Sequence, residues 1–365
     1  MGHHRTGLDR LPPGLGVIGP VWGGIPKRGL TRGHPKSNGG WRGFTWEMGG
    51  GYSVDMSYAV PILLTVFNRP DTTRLVWERI RAQRPLHLYI AADGPRHHIK
   101  DEAQRCDAVR QLVSQVDWPC SVYTLFRDQN VGCRKAMAGA ITWFFQQVPY
   151  GVILEDDCVP HDDFFRFCET LLHRYQDVET VGIISGSNPL ATQVPALYSY
   201  AWTSYPQIWG WASWQRVWQK YDENLDDWPA IRHQLFRHVP SISWGMRCYY
   251  SALFKKIKKK QIDTWDIQVN HMTLKHRLLT VLPTHNLISN IGFGKGATHT
   301  HHAHDPMANV PAQSMVFPLQ HPPDMHPDPV WDSLIATQLY PWQRRIRQWI
   351  PHWLVQWVRS YRRLM

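Results

Sequence analysis

From Val60 onward the chain alternates short apolar runs with longer amphipathic stretches. Val60-Pro61-Ile62-Leu63-Leu64-Thr65-Val66 has no polar face, the pattern of a strand covered on both sides, and a helix over 71–84 is predicted to open after Pro70. A second strand over 86–92 ends at the turn signal Asp93-Gly94-Pro95. A helix over 99–116, a strand over 121–126, a helix over 135–147 and a strand over 151–154 follow, with further helices predicted over 246–260 and 265–276. Strands separated by helices imply a largely parallel sheet with covered faces, whose ligands bind beyond the carboxyl ends of the strands. Arg69, Asp93 and Glu155-Asp156-Asp157 all fall at such ends, so three polar sites are expected on one edge of one sheet.

The acidic triplet changes the picture most. Three adjacent carboxylates directly after Gly151-Val152-Ile153-Leu154 repel one another, and carboxylates near a core need a cation or hydrogen-bond donors. A hard divalent ion such as Mg²⁺ or Mn²⁺ meets that need with oxygen ligands, completing its shell with water and substrate phosphates. A solvated acidic turn is the other reading of the triplet alone.

Composition bounds the rest. The 365 residues, 43% hydrophobic and 12% aromatic, can bury one large core or two modest ones. The six cysteines form no CxxC pair, which points to reduced thiols and a cytoplasmic compartment, and no apolar run approaches the length of a membrane span. The formal charge of +11 sits mostly at the ends: residues 1–55 contribute +4, residues 341–365 contribute +6 from six arginines, and the remainder carries about +1. A nucleic-acid-binding body would carry a basic stripe of its own, so no nucleic acid partner is expected.

Residues 1–55 are rich in Gly, Pro and Arg without periodicity and are read as a disordered extension or an over-long start. A catalytic domain is expected over 56–305, a linker over 306–340, and an amphipathic helix over 341–365. In that last stretch Trp342, Trp349, Trp353 and Trp357 recur with Ile and Leu at steps of three and four, with arginines between them. The pattern fits a helix lying on an anionic membrane surface, peripheral on the inner face of the cell membrane; a helix docked on the core is the alternative.

Five segments together carry a resemblance. They are Pro61-Ile62-Leu63-Leu64-Thr65-Val66-Phe67-Asn68-Arg69-Pro70; Ala92-Asp93-Gly94; the run from Ile153 through the triplet to Phe164-Phe165; Trp209-Gly210-Trp211-Ala212-Ser213-Trp214; and Gly292-Phe293-Gly294-Lys295-Gly296-Ala297-Thr298-His299. In order and spacing they resemble the GT-A nucleotide-sugar glycosyltransferases, in particular the group around N-acetylglucosaminyltransferase I and its bacterial relatives.

The resemblance implies an α/β fold with a mixed, mostly parallel sheet flanked by helices. It also implies a role for each segment. Asp157 looks like the ligand of a Mn²⁺ or Mg²⁺ ion that bridges the donor's phosphates, and Glu155 and Asp156 face the ribose and sugar hydroxyls. Asp93 resembles the acid that accepts the uracil imino proton, and Arg69 the basic residue at the nucleotide. Gly210 lets backbone approach the donor sugar, and Lys295 sits in a glycine-rich lid. Asp266, with Asp263 second, fits the position of the base that takes the acceptor's proton in an inverting transfer. A helix N-cap is the alternative role for Asp263.

Some residues stay open to two readings. Arg134 and Lys135 meet phosphate or form a solvated helix face. Trp211 and its neighbours Trp209, Trp214 and Trp218 stack on a sugar or fill the core. His299 reaches the metal, or belongs with His301, His302 and His304 to an exposed polar turn. The expected activity is transfer of a hexosyl or N-acetylhexosaminyl group from a nucleoside diphosphate sugar, UDP-sugar favoured, to a glycan or lipid-linked hydroxyl acceptor in cell-surface polysaccharide synthesis. A sugar-nucleotide pyrophosphorylase would open with a glycine-rich, Arg-bearing loop where this chain has Phe67-Asn68-Arg69-Pro70. A non-catalytic membrane or nucleic-acid adaptor using the basic ends is the remaining alternative.

Overall fold

The computed structural model describes residues 57–293 and 308–339, apart from 195, 196, 238, 240 and 241. The N-terminal half is a regular alternation: β1 (Ile62–Val66), α1 (Pro70–Gln83), β2 (His87–Ala92), α2 (Glu102–Val113), β3 (Ser121–Phe126), α3 (Cys133–Phe145) and β4 (Tyr150–Glu155). Every residue of β1 is buried because the strand is paired on both edges, in parallel with β2 and β4, and covered on both faces. α1 has Pro70 in its first turn, where a missing N–H costs nothing, and ends at Arg84 in the left-handed region with φ 48°.

The chain continues through β5 (Cys158–Pro160), α4 (Asp162–Arg174), β6 (Val181–Ser185), β7 (Tyr200–Thr203), β8 (Trp211–Trp214), α5 (Gln215–Trp218), α6 (Trp228–Ile231), α7 (Trp244–Lys258), α8 (Asp266–His276), β9 (Leu279–Pro283), β10 (Ile288–Asn290) and α9 (Pro329–Leu334). α4 begins with the His161 ring accepting from the Asp163 N–H at 3.2 Å, has acids in its first turn and bases in its last, and buries Phe164, Phe165 and Phe167. The main sheet has the order β3-β2-β1-β4-β8-β6-β9-β7. β8 and β7 run against the other six strands, so the sheet is mixed and mostly parallel, as expected.

Two apolar clusters hold the molecule. The larger surrounds the sheet through Ile62, Leu63, Val152, Ile153, Phe164, Ile184 and Trp211. The smaller gathers Tyr205, Trp228, Met246, Tyr250, Phe254 and Leu282 with Trp331 and Ile335 of the C-terminal segment. Here the linker expected over 306–340 is corrected for its described part. Residues 308–339 are docked: Met315, Leu319, Trp331 and Ile335 are buried, the Met315 N–H donates to Asp163 Oδ2 at 2.8 Å, and the Ser204 N–H donates to the buried Asp332 Oδ1 at 3.1 Å. A few widely spaced apolar anchors are enough to fix a segment whose Pro and His content hides them.

Candidate functional site

The carboxyl ends of β1 to β4 open onto a cavity of 340 Å³ beside the N-terminal half of α3. That size falls near the lower end of the roughly 300–1,000 Å³ of small-molecule sites. Phe67 and Arg69 follow β1, Asp93 and Arg96 follow β2, Arg127 and Asn130 follow β3, and Glu155 and Asp156 end and follow β4; Asp263 enters from the α7–α8 connection. Five residues singled out in the sequence, Arg69, Asp93, Glu155, Asp156 and Asp263, are thus brought together.

The triplet is tied to the loop after β1. The Arg69 guanidinium donates to Asp156 and pairs with Asp157 Oδ2 at 2.9 Å, while the Phe67 N–H donates to Asp156 Oδ2 at 3.3 Å. Burial pushes Asp156 up to about 6 against the pull of Arg69. Glu155 is raised well above the usual carboxylate range, by burial first and then by Asp157 and Asp156. Burial opposes the charge on Arg69, but the two aspartates hold its guanidinium in the charged form. Three carboxylates face one guanidinium, an excess of negative charge in hard oxygen donors. The donor set suits a divalent ion held by one or two carboxylates; among the described residues no group of three His, Cys, Asp or Glu side chains forms a full ligand cage. Gly292 lies so close to Asp157 that any Cβ there would overlap the carboxylate, and the Ile291 N–H donates to the Asp157 carbonyl at 2.9 Å. The start of the 292–299 motif is therefore packed on the acid that the sequence assigned to metal.

On the opposite wall, Asp93 accepts from the N–H groups of Gly94 at 3.0 Å and Val131 at 3.2 Å, and burial still raises its pKa. Arg96 and Arg127 were not anticipated, although the rule that ligands lie beyond strand ends points to Arg127, the residue after β3. Arg96 is aimed by Glu102, whose buried carboxylate accepts from Arg96 Nε at 2.9 Å, Arg96 Nη2 at 2.6 Å, the Arg96 N–H at 2.7 Å and Asn68 Nδ2 at 2.7 Å. These bonds, Arg96 first, hold Glu102 down to about 2. Nothing in the spacing of Glu102 announced this tie between the loops after β1 and β2.

The two proposed bases lie at the α7–α8 connection. Asp263 lines the cavity and accepts from the Arg134 N–H at 3.4 Å, with the Arg134 guanidinium 3.9 Å away. Asp266 opens α8, is half-buried and accepts from the Thr264 hydroxyl. The residue at the N-cap of α8 is Trp265, so Asp263 does not cap that helix. Arg134 also pairs with Glu223 at 3.5 Å, and Lys135 is exposed; neither lines the cavity. Gly210 has φ 63°, which favours glycine, and its carbonyl accepts from the Gly186 N–H at 2.8 Å. Trp211 is 1% exposed and stacks on Trp265, so its ring serves the core, with Trp214 and Trp218 buried alongside and Trp209 edge-on to Phe293. Lys295, His299 and the helix expected over 341–365 lie outside the described residues.

Fold and site together define an α/β protein with a polar cavity at the carboxyl edge of its sheet. No protein-family model matches the chain, and no curated protein matches it. Among solved structures it is similar to a cytidylyltransferase from Leptospira borgpetersenii serovar Hardjo-bovis (strain JB197), 12% identical, covering 49% of this chain and 70% of that one with a TM-score of 0.30. It is also similar to the apo structure of WbbM, a bifunctional glycosyltransferase, 9% identical, covering 63% of this chain and 39% of that one with a TM-score of 0.27. Likeness at this level says nothing about activity.

Proposed function

We propose that the chain is a glycosyltransferase that moves a sugar from a nucleoside diphosphate to a hydroxyl acceptor. One observation carries this reading: a single cavity at the carboxyl ends of four parallel strands collects Arg69, Arg96 and Arg127 beside Asp93, Glu155 and Asp156. Cations for a diphosphate, a buried acid for a base edge and carboxylates for ribose and sugar hydroxyls are what a nucleotide-sugar needs.

In this reading Asp93 and the β3–α3 loop hold the nucleoside, while Arg69 and Arg96 hold phosphate oxygens. A divalent ion bound by Asp157 would supply neutralisation of the charge that grows on the departing nucleoside diphosphate. Asp266 takes the proton of the acceptor hydroxyl as that oxygen forms its bond to the anomeric carbon, and the bond from that carbon to phosphate oxygen breaks with its electron pair. Asp263, engaged with Arg134, secures the connection that carries Asp266.

The test is calorimetric titration of the full chain with UDP-, GDP- and dTDP-sugars, with and without Mn²⁺. One of these donors is expected to bind, and Asp157→Ala is expected to weaken it at least tenfold without lowering the melting temperature. Failure of every donor to bind under both conditions overturns the reading.

A further inference from the structure

Helix α7 presents two unlike faces. Met246, Tyr250, Phe254 and Ile257 are buried in the smaller core, and Leu253 is buried as well. On the opposite side Trp244, Cys248, Ala252, Lys255 and Lys259 follow one another at steps of four or three, forming one outward stripe about 22 Å long at 1.5 Å per residue. Trp244 at one end is 80% exposed, whereas every other described tryptophan is buried or half-buried. At the other end Lys255, Lys259 and Lys260 are exposed and none joins an ion pair among the described residues, while Lys258 pairs with Asp226 at 3.1 Å. One or two cations complement a helix C-terminus. Dipole complementation explains neither the further lysines nor a bare indole four turns away.

We infer that the outward face of α7 docks flat on an anionic lipid surface, Trp244 entering the interface and Lys255, Lys259 and Lys260 meeting headgroup phosphates. Indole and lysine are the side chains that suit a membrane interface: one is amphipathic, and the other extends its charge to phosphate from an apolar stem. The small residues between them let the helix approach a flat surface closely. This contact belongs to the folded domain and is separate from the segment 341–365. It also orients the molecule. Lys260 is three residues from Asp263 on the cavity lining, within about 10 Å along the chain, so a bilayer against α7 lies beside the mouth of the site. That last consequence, an acceptor presented on lipid, rests on the transferase reading; the docking itself does not.

The experiment is co-sedimentation of the full chain with phosphatidylcholine vesicles, with and without phosphatidylglycerol, over a range of salt. The wild type is expected to bind the anionic vesicles more tightly, and Lys255→Gln/Lys259→Gln to lose about 30-fold in affinity, about fivefold per lysine, with a shallower salt dependence. Trp244→Ser is expected to weaken binding at all salt concentrations. All three positions are exposed, so unchanged melting temperatures separate docking from folding. Absence of wild-type binding, equal binding to both vesicle types, or variants that bind like the wild type overturn the proposal. Variants that keep vesicle binding but lose binding to an oligonucleotide would overturn it too, assigning the stripe to a soluble polyanion.

Discussion

The two halves of the sheet treat buried polar groups in opposite ways. Around β6, β7 and β9 such groups are neutral or balanced in charge, and Ser187 Oγ, Trp202 Nε1 and Thr280 Oγ1 go without a hydrogen-bond partner among the described residues. Asn188 donates to the Pro283 carbonyl at 2.7 Å, its N–H donates to Asn286 Oδ1 at 2.9 Å, and Asn286 in turn donates to the Val310 carbonyl at 3.1 Å. Asp227 is matched by Lys275 at 2.5 Å. These contacts hold irregular chain in place and leave no charge to spare. Around β1 to β4, Asp156 and Asp157 share Arg69, and four acids, Asp93, Glu155, Asp156 and Asp263, line one cavity with three cations, Arg69, Arg96 and Arg127. A fold gains nothing from crowding like charges at a rim. In the proposed reading the imbalance marks the half that handles a charged ligand, and the balanced half is scaffold.

The largest effect should come at the α7–α8 connection, whose Asp263 lines the cavity and whose Asp266 opens α8. Asp266→Asn is expected to lower single-turnover transfer about 10²- to 10⁴-fold while leaving donor affinity unchanged in calorimetry. Asp263→Asn should cost far less. The reverse order would move the base to Asp263 and make Asp266 the structural acid. Next in size, Arg69→Met should destabilise the fold by about 3 kcal/mol in urea titration, because it leaves Asp156, 4% exposed, without its cation. A loss below 1 kcal/mol would show that the triplet is solvated and erase the contrast between the halves.

The first half was legible because its signals are local. Apolar runs gave β1 to β4 within two residues at each end, and the polar residues just after them gave Arg69, Asp93 and the triplet. Glu102 and Arg96 stayed hidden: their pairing depends on the loop after β2 folding back on its own helix. In the second half, strands of three to five residues with large aromatics gave little period to read, as in β8 with Trp211 and Trp214. The docked segment 308–339 was missed because its contacts reach across more than a hundred residues to Asp163 and Ser204.

Glu102 tests whether a buried charge in the first half can be structural and still shape the site. Its carboxyl, held down to about 2 against a usual 4.5, contributes stability that is present above pH 4.5 and lost as pH falls through about 2. Glu102→Gln is expected to cost about 2 kcal/mol at pH 7, the scale of a hydrogen bond to a charged group. It should also weaken donor binding by releasing Arg96, while the acid limb of the stability profile flattens. A stability loss with donor affinity intact would confine Glu102 to the scaffold.

His271 is the corresponding test in the balanced half, and the smallest. Its ring is 1% exposed, edge-on to Trp228 and Phe254, with Asp227 Oδ1 3.6 Å from Nε2. Burial pulls it down to about 4 from 6.5, against the opposing pull of Asp227, with Lys275 and His276 adding to the shift and Asp222 resisting it. The unfolded chain therefore binds more protons between pH 6.5 and pH 4, and stability held above 6.5 is lost as the pH falls through that window. Between pH 7 and pH 5 the loss should be about 2 kcal/mol. His271→Gln should remove this slope in urea titrations across the window without changing transfer at pH 7, because the residue touches scaffold and not the cavity. If the slope persists, the acid sensitivity belongs to another group; if transfer falls while the slope persists, the division between a charged site and a neutral scaffold is drawn in the wrong place.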